Sequence, residues 1–242
     1  MHRTYTVTEI RDENYRTKTL VLDRALIAKP GQFAMVWLPG VDERPFSIAA
    51  ASPLTLTVVA VGPFSERLHQ LGEGERLWVR GPLGQPFELP AQPSGKRLVM
   101  VGGGYGVAPL RFLAREALTA NAAVEVCIGA RTAADVLLAE RLVMDGAVVR
   151  VMTEDGSRGG RGLVTAALEA AVLEARPASV YACGPVPMLE AVESRCLAHG
   201  LPYQLSWEAR MRCGMGLCGT CEVHGRRREG WLACSDGPVS VS

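Results

Sequence analysis

Nowhere in this chain do roughly 18 uncharged apolar residues follow one another, as a membrane-spanning helix requires. The opening stretch, "MHRTYTVTEIRDENYRTKTL", carries charges throughout and lacks an apolar run of signal-peptide length. Charge of one sign is missing as well. The 26 basic and 25 acidic residues leave a net charge of +1, which excludes the electrostatic footprint of a nucleic-acid binder or of a protein held on an anionic membrane. The one dense basic run, Arg226, Arg227 and Arg228, is expected at a solvated hairpin tip, with a docking patch as the other reading. There is no internal repeat and no low-complexity segment. The four histidines, His2, His69, His199 and His224, are scattered and form no recognisable acid–base constellation, so structural or surface roles are expected for each. These absences predict a soluble, cytoplasmic protein whose partners are neither nucleic acid nor membrane.

What the chain does have is apolar material and sulfur. With 242 residues, 48% of them hydrophobic, it can build one large or two ordinary cores without help from disulfides. Seven cysteines in a reducing compartment therefore point to metal or redox use.

The texture changes twice along the chain. Residues 1–95 show short β-rich runs, among them "KTLVLD", "GQFAMVWLP" and "LTLTVVAVG", punctuated by Gly, Pro and Asp; antiparallel strands closing into a small barrel are expected, followed by the linker "ELPAQPSGK". Over residues 96–206 apolar strands ("RLVMVGG", "AVEVCIGA", "AVVRVMT", "ASVYACG") alternate with helical stretches, the pattern of a doubly wound parallel sheet. Residues 207–242 follow neither pattern. At roughly 36 residues this last segment is too short for a core of its own, and it is expected to lean on the α/β domain while leaving its cysteines near a surface.

Those cysteines, Cys213, Cys218, Cys221 and Cys234, are spaced C-x4-C-x2-C-x12-C, and the first three match the plant-type ferredoxin pattern for a [2Fe-2S] cluster. Gly214, Gly216, Gly219 and Thr220 are small enough to let backbone N–H groups turn toward the sulfurs. A structural zinc site in a non-catalytic binding module is the competing reading. Zinc ligands usually come as two short knuckles, however, whereas here three share one glycine-rich loop. Met211, Met215 and Leu217 punctuate the loop and are expected either at a docking face or packed against the chain's own core. Cys127, inside a strand, and Cys196, on a helix, are expected to fill the core.

Further upstream, "VMVGGGYGVAPLRFL" sets Gly102, Gly103, Gly104 and Gly106 between a strand and a helix, where they permit either close approach of a pyrophosphate to the helix N-terminus or simply tight packing. A later strand ends in "TEDGSRGGRG", placing Glu154 or Asp155 to accept ribose hydroxyls and Ser157 to donate to a phosphate; another ends in "CGPVPML". All three motifs are expected at the carboxyl edge of the sheet, where one dinucleotide would use them together. The acidic pair Glu154 and Asp155 would repel a 2′-phosphate, which favours NAD over NADP. In the barrel, "ERPFSIA" sets Arg44 three residues before Ser47, an arginine and a hydroxyl on opposite faces of one strand.

The order of these motifs, with "GPLG" at 81–84 and "ACSDGPV" at 233–239, resembles the ferredoxin reductase family of flavoproteins over essentially the whole chain, and within it the electron-transfer subunits of NAD-dependent dihydroorotate dehydrogenases. The resemblance implies an FAD-binding β-barrel, an NAD-binding α/β domain and a C-terminal [2Fe-2S] segment. It implies that Arg44 binds the FAD pyrophosphate, that Pro45, Phe46 and Ser47 line the flavin with Ser47 near N5, that Gly103, Gly104 and Gly106 flank the nicotinamide nucleotide, and that Cys183 and Gly184 lie near the nicotinamide. It also implies an FMN-containing catalytic partner subunit, two of each subunit per assembly, and a role in pyrimidine biosynthesis, with electrons entering the cluster singly and leaving as hydride to NAD+. A diaphorase subunit of a hydrogenase-type complex, or of a nicotinamide-dependent ferredoxin reductase, would share every one of these motifs. Two departures stand out. Phe46 lacks the hydroxyl common in the family's flavin motif, and "VGPFSERLHQL" offers Gly62 and Ser65 where relatives carry a glycine and threonine for a flavin phosphate, with Pro63 removing one N–H donor.

Overall fold

The computed structural model describes residues 1–223 and 229–242; the basic run Arg226–Arg228 and His224 lie outside the described residues. Two compact units emerge. One joins Met1–Pro86 to Ala209–Val239, the other joins Phe87–Glu208 to Ser240–Ser242.

In the first unit, strands β1 (Arg3–Asn14), β2 (Thr17–Leu22), β3 (Phe33–Leu38), β4 (Asp42–Ala51), β5 (Leu54–Val59) and β6 (Arg76–Leu83) close into a barrel in the order β1-β2-β5-β4-β3-β6, with the short helix α1 (Pro63–His69) between β5 and β6. Period-two alternation fills the interior: Tyr5 and Val7 of β1, Leu54, Leu56 and Val58 of β5, and Leu77 and Val79 of β6 are all buried. Strand β3 breaks the alternation. Its sequence FAMVWL is apolar almost throughout, and Phe33, Ala34, Met35 and Val36 are all buried. A strand in a barrel wall that faced water on one side would show polar residues at every second position. Here the second face is covered, because Gly214 packs against Met35 and Leu83, and Gly84 is wedged against Phe33 and Pro238. The cysteine segment therefore leans on the barrel. The expected seat on the α/β domain holds for its last residues, Ser240–Ser242, which belong to that unit, while Ala209–Val239 join the barrel through the apolar strip that β3 offers. The segment's own joint is made by the residue that follows the GPLG stretch: Gln85 N–H donates to the Gly237 carbonyl and Gln85 Nε2 donates to the Ser235 carbonyl at 3.1 Å.

The second unit carries β7 (Arg97–Gly103), α2 (Val107–Thr119), β8 (Ala123–Ala130), α3 (Ala139–Asp145), β9 (Val148–Thr153), β10 (Gly160–Arg161), α4 (Val164–Glu174), β11 (Ser179–Cys183), α5 (Val186–Ala198) and β12 (Tyr203–Ser206), with β13 (Val239–Val241) at the far edge. The sheet order β10-β9-β8-β7-β11-β12-β13 reverses direction between β7 and β11, and the pairs from β10 to β12 are parallel. This is the doubly wound arrangement expected from the alternating pattern. The linker is pinned at its start, where Phe87 meets Tyr181 edge-on and the Glu88 carbonyl accepts from Tyr181 and Gln204. No helix among the described residues is long and apolar enough to cross a membrane. Cys127 and Cys196 are fully buried, and burial pushes both thiols up to about 12.

At the amino-terminal side of the sheet, Glu125 is almost wholly enclosed in β8 and accepts from Arg97 and from Arg150, which also reaches Glu174. Removing one member of a buried ion pair leaves the other uncompensated. Glu125→Ala is expected to cost about 3 kcal/mol of stability in denaturant unfolding, without changing any visible spectrum.

Candidate functional site

The cysteine loop is shaped by glycines that only glycine suits. Gly214, Gly216 and Gly219 have φ of 66°, 75° and 69°, in the left-handed region, so the backbone doubles back between successive cysteines. One result is that N–H groups face sulfur: Gly216 N–H donates to Cys234 Sγ at 3.1 Å and Met215 N–H to Cys213 Sγ at 3.5 Å. The four sulfurs fall into pairs. Cys221 and Cys234 are buried with their Sγ atoms 3.2 Å apart, while the Cys218 thiol interacts with Cys213 and with Thr220. Hydrogen bonds from Thr220 hold Cys218 down to about 6, and burial pushes Cys234 up to about 11. Two thiol pairs on one loop and a following strand-like return suit two irons better than one ion, which needs all its donors around a single point. Among the described residues no three His, Cys, Asp or Glu side chains converge in that way. The four cysteines suit a two-iron cluster, which Cys213, Cys218, Cys221 and Cys234 would hold between them.

The return is braced from both ends. Leu232 N–H donates to Asp236 at 2.8 Å, and Arg80, from β6, donates to the Cys213 carbonyl at 2.9 Å. Met211 is buried, whereas Met215 and Leu217 are 50% and 80% exposed, so the three apolar residues of the loop divide between core and surface.

The barrel motif lies on the strand next to the loop's seat. Pro45 pairs with Met35 in the β3–β4 register, and Met35 is the residue Gly214 packs against. Arg44 and Ser47 are both exposed, on alternate faces of the pleat. The Arg44 guanidinium pairs with Asp42 and donates to the Glu43 carbonyl at 3.0 Å. Phe46 is half-buried and tilts against Phe64, ring centroids 6.1 Å apart, so its missing hydroxyl is replaced by an apolar contact. Space is open above Gly62, where an added Cβ would meet nothing within 4 Å. Ser65 differs from expectation. Its hydroxyl accepts from Val61 N–H at 2.9 Å and Gly62 N–H at 3.1 Å and donates to the Gly62 carbonyl at 2.9 Å, so it caps α1 and turns inward. Arg44 and Ser47, both exposed, and the open space at Gly62 could serve a flavin nucleotide, while Ser65 is occupied in shaping the loop.

In the second unit the three nucleotide motifs end β7, β9 and β11 at one edge of the sheet, and two of them flank the point where the strand order reverses. Their glycines divide by task. A Cβ on Gly106 would lie 2.2 Å from the Cys183 carbonyl oxygen, and one on Gly103 would lie 2.7 Å from Met188 Sδ; both let the β7 and β11 loops touch. Gly104, with φ of 53°, faces open space. Gly184, with φ of 158°, packs on Gly103. At the β9 end, Asp155 accepts from Ser157 N–H at 3.0 Å and from its hydroxyl at 2.6 Å, and Ser157 Oγ accepts from Ala133 N–H. Asp155 and Ser157 are thereby engaged in building the turn, although Glu154 and Asp155 are both exposed.

Sequence reading missed Glu208 and Tyr105. Tyr105 donates to Glu208 at 2.9 Å, and Cys183 lies level with Ser206 across β11 and β12. Neighbouring atoms crowd the Glu208 carboxyl and push it up, the Tyr105 bond opposing, although the residue as a whole is exposed. Burial, with Glu208 adding to it, raises the Cys183 thiol to about 12. The signal was present in the sequence: Tyr105 is the one side chain able to donate within the glycine turn, and Glu208 is the acid two residues beyond β12.

Comparison with known proteins agrees with this geometry. The model of an oxidoreductase NAD-binding domain matches residues 100–194, and that of the iron–sulfur cluster binding domain of dihydroorotate dehydrogenase B matches residues 208–240. A probable dihydroorotate dehydrogenase B (NAD(+)), electron transfer subunit, of Methanocaldococcus jannaschii is 36% identical over 233 residues, covering 96% of this chain and 87% of the relative. The protein of the same description from Methanopyrus kandleri is 40% identical, over 96% of this chain and 87% of its own. Among solved structures, one described as an NADH-dependent reduced ferredoxin-NADP oxidoreductase, studied for flavin-based electron bifurcation, superposes with a TM-score of 0.87 at 27% identity, over 98% of this chain and 87% of that one.

Proposed function

Because the chain belongs to the family of dihydroorotate dehydrogenase B electron-transfer subunits, we propose that it carries electrons from a dihydroorotate-oxidising, FMN-containing partner subunit to NAD+ in pyrimidine biosynthesis, in a cytoplasmic assembly of two of each subunit. When bound, the [2Fe-2S] cluster supplies single-electron transfer, FAD converts between single electrons and pairs, and NAD+ takes up hydride. The observation that carries the reading is the seating of the cysteine loop on β3, one strand from the flavin motif, within a single compact unit.

The residues divide the work. Cys213, Cys218, Cys221 and Cys234 hold the metal, and the N–H groups of Met215 and Gly216 orient toward sulfur charge. Arg44 leaves Asp42 to bind a pyrophosphate, Ser47 offers its hydroxyl to the flavin ring, and Pro45 and Phe46 present an apolar floor. The region from Gly62 to Ser65 shapes the ground beneath the flavin phosphate. Gly103, Gly106 and Gly184 close the β7 and β11 loops against each other, Gly104 leaves open space for the nicotinamide end, and Glu154 addresses the ribose while Asp155 fixes the turn. No side chain is asked to abstract a proton from dihydroorotate. His2 and His199 bond to carboxylates and His69 to the Val58 carbonyl. Mixing the chain with a candidate orotate-forming partner, dihydroorotate and NAD+ under anaerobic conditions should produce NADH at 340 nm (about the usual absorbance maximum of reduced nicotinamide). No NADH with an active partner would overturn the proposal.

A second reading has a specific observation in its favour. The whole-chain superposition on the ferredoxin-NADP oxidoreductase structure allows a diaphorase module of another complex. Substituting reduced ferredoxin for dihydroorotate in the same assay separates the two.

The exposed Met215 and Leu217 beside exposed Cys218 form the face proposed to meet the partner. Leu217→Lys is expected to weaken complex formation at least tenfold in a sedimentation titration while leaving the visible spectrum intact, about the cost of truncating one interface anchor. Unaltered binding would place the partner elsewhere.

A further inference from the structure

The barrel wall beneath the cysteine loop holds a cation that the function above does not use. Arg80 lies in β6, level with Met35 in the β3 register, and its side chain is 13% exposed. Glu43 grips one side of the guanidinium, accepting from Nε at 3.1 Å and from one terminal nitrogen at 2.9 Å. That same nitrogen donates to the Cys213 carbonyl at 2.9 Å. The other terminal nitrogen, NH1, is buried without a partner, the one side-chain nitrogen or oxygen among the described residues in that condition. Buried guanidinium donors are normally satisfied, and a free one marks a place where an acceptor belongs.

The group that the guanidinium reaches is the cysteine loop, through the Cys213 carbonyl. Four thiolates and two sulfides leave an oxidised two-iron cluster dianionic and a reduced one trianionic. A guanidinium keeps its charge at every accessible pH, and a fixed cation in a water-poor setting favours the more negative redox state. Glu43, itself bonded to His2 at 2.7 Å, is the counterweight on the far side of the guanidinium. Taking the four cysteines as cluster ligands, we propose that Arg80 is a positioning residue for the metal centre, which tethers the Cys213 backbone and raises the cluster's reduction potential, while Glu43 moderates that effect.

The tuning role and a merely structural one differ in sign. Anaerobic redox titration of the full chain, followed by the electron paramagnetic resonance of the reduced cluster, should show Arg80→Met shifting the one-electron equilibrium about tenfold toward the oxidised state, or about 59 mV downward. Arg80→Lys keeps the charge and should recover more than half of that shift. Glu43→Gln keeps the guanidinium and removes its counter-charge, so the potential should rise. If Arg80→Met fails to hold iron, the lysine and glutamine variants still decide between the readings. Potentials unmoved in Arg80→Met, or Arg80→Met and Glu43→Gln shifting in the same direction, would overturn the inference. Wild-type protein without iron and labile sulfide would overturn the metal reading and this inference together, whereas iron present with unmoved potentials overturns this one alone.

Discussion

Cys234→Ala is expected to abolish the iron–sulfur absorption bands and to stop NADH formation from dihydroorotate, while the chain still folds and still passes electrons from NADH to an artificial acceptor such as ferricyanide. Cys234 supplies one of the loop's two buried sulfurs and receives the Gly216 N–H, so its loss would remove the proposed fourth ligand and disorient the loop that carries the other three cysteines. Four-thiolate clusters do not tolerate an alkyl group at a ligand position, because the iron is left with an open site in a partly buried cage. The barrel, where Arg44 and Ser47 sit, keeps its own core of Tyr5, Leu56 and Leu77 and does not need the metal to close. Flavin-dependent chemistry should therefore survive when cluster-dependent chemistry does not. Cys127→Ala and Cys196→Ala are the controls, since both sulfurs are buried in the α/β unit and should leave every visible band in place. Iron and labile sulfide analysis beside the two activity assays decides the matter. A Cys234→Ala protein that retains its full complement of both would remove Cys234 from the ligand set.

Gly106→Ala is expected to slow the reduction of bound flavin by NADH about 100-fold, the cost of roughly 1 Å of misplacement at a reacting pair. The new methyl would stand 2.2 Å from the Cys183 carbonyl oxygen, 2.5 Å from its carbon and 2.9 Å from the Gly184 nitrogen. All three are backbone atoms of a strand end, which cannot swing aside as a side chain can. The β7 and β11 loops must part, and the ground beside Cys183 moves with them. Stability should fall by about 1–3 kcal/mol, the usual cost of overpacking. The iron content should not change, because the cysteine loop belongs to the other unit. Stopped-flow absorbance of the flavin on mixing with NADH measures the effect, and an unaltered rate would mean that the two loops do not frame the nicotinamide.

Strands and helices were legible because each has a strong local period. The alternating run LTLTVV became β5, and the spacing in VAPLRFLAREALT became α2. The cysteine spacing likewise pointed to an iron–sulfur segment, and the family model of such a domain matches residues 208–240. The seat of that loop was not legible by the same means. FAMVWL signals a strand buried on both sides but does not say what covers it, and the cover comes from residues about 180 positions later in the sequence. Short polar side chains were harder still. Ser65, Asp155 and Ser157 are residue types that bind phosphate and ribose, and equally the types that build turns; their hydrogen bonds are local, so the chain's own N–H groups claim them. Arg80 escaped notice because one charged residue in a strand is ordinary until its register brings it beneath Cys213.

The central claim is that one polypeptide holds metal and flavin together as a conduit for electrons. Protein isolated without oxygen should contain two irons, two acid-labile sulfides and one extractable flavin dinucleotide per chain, and the metal signal and the flavin absorption should both respond when NADH is added. Colourless protein carrying a single zinc ion, with neither sulfide nor flavin, would contradict it.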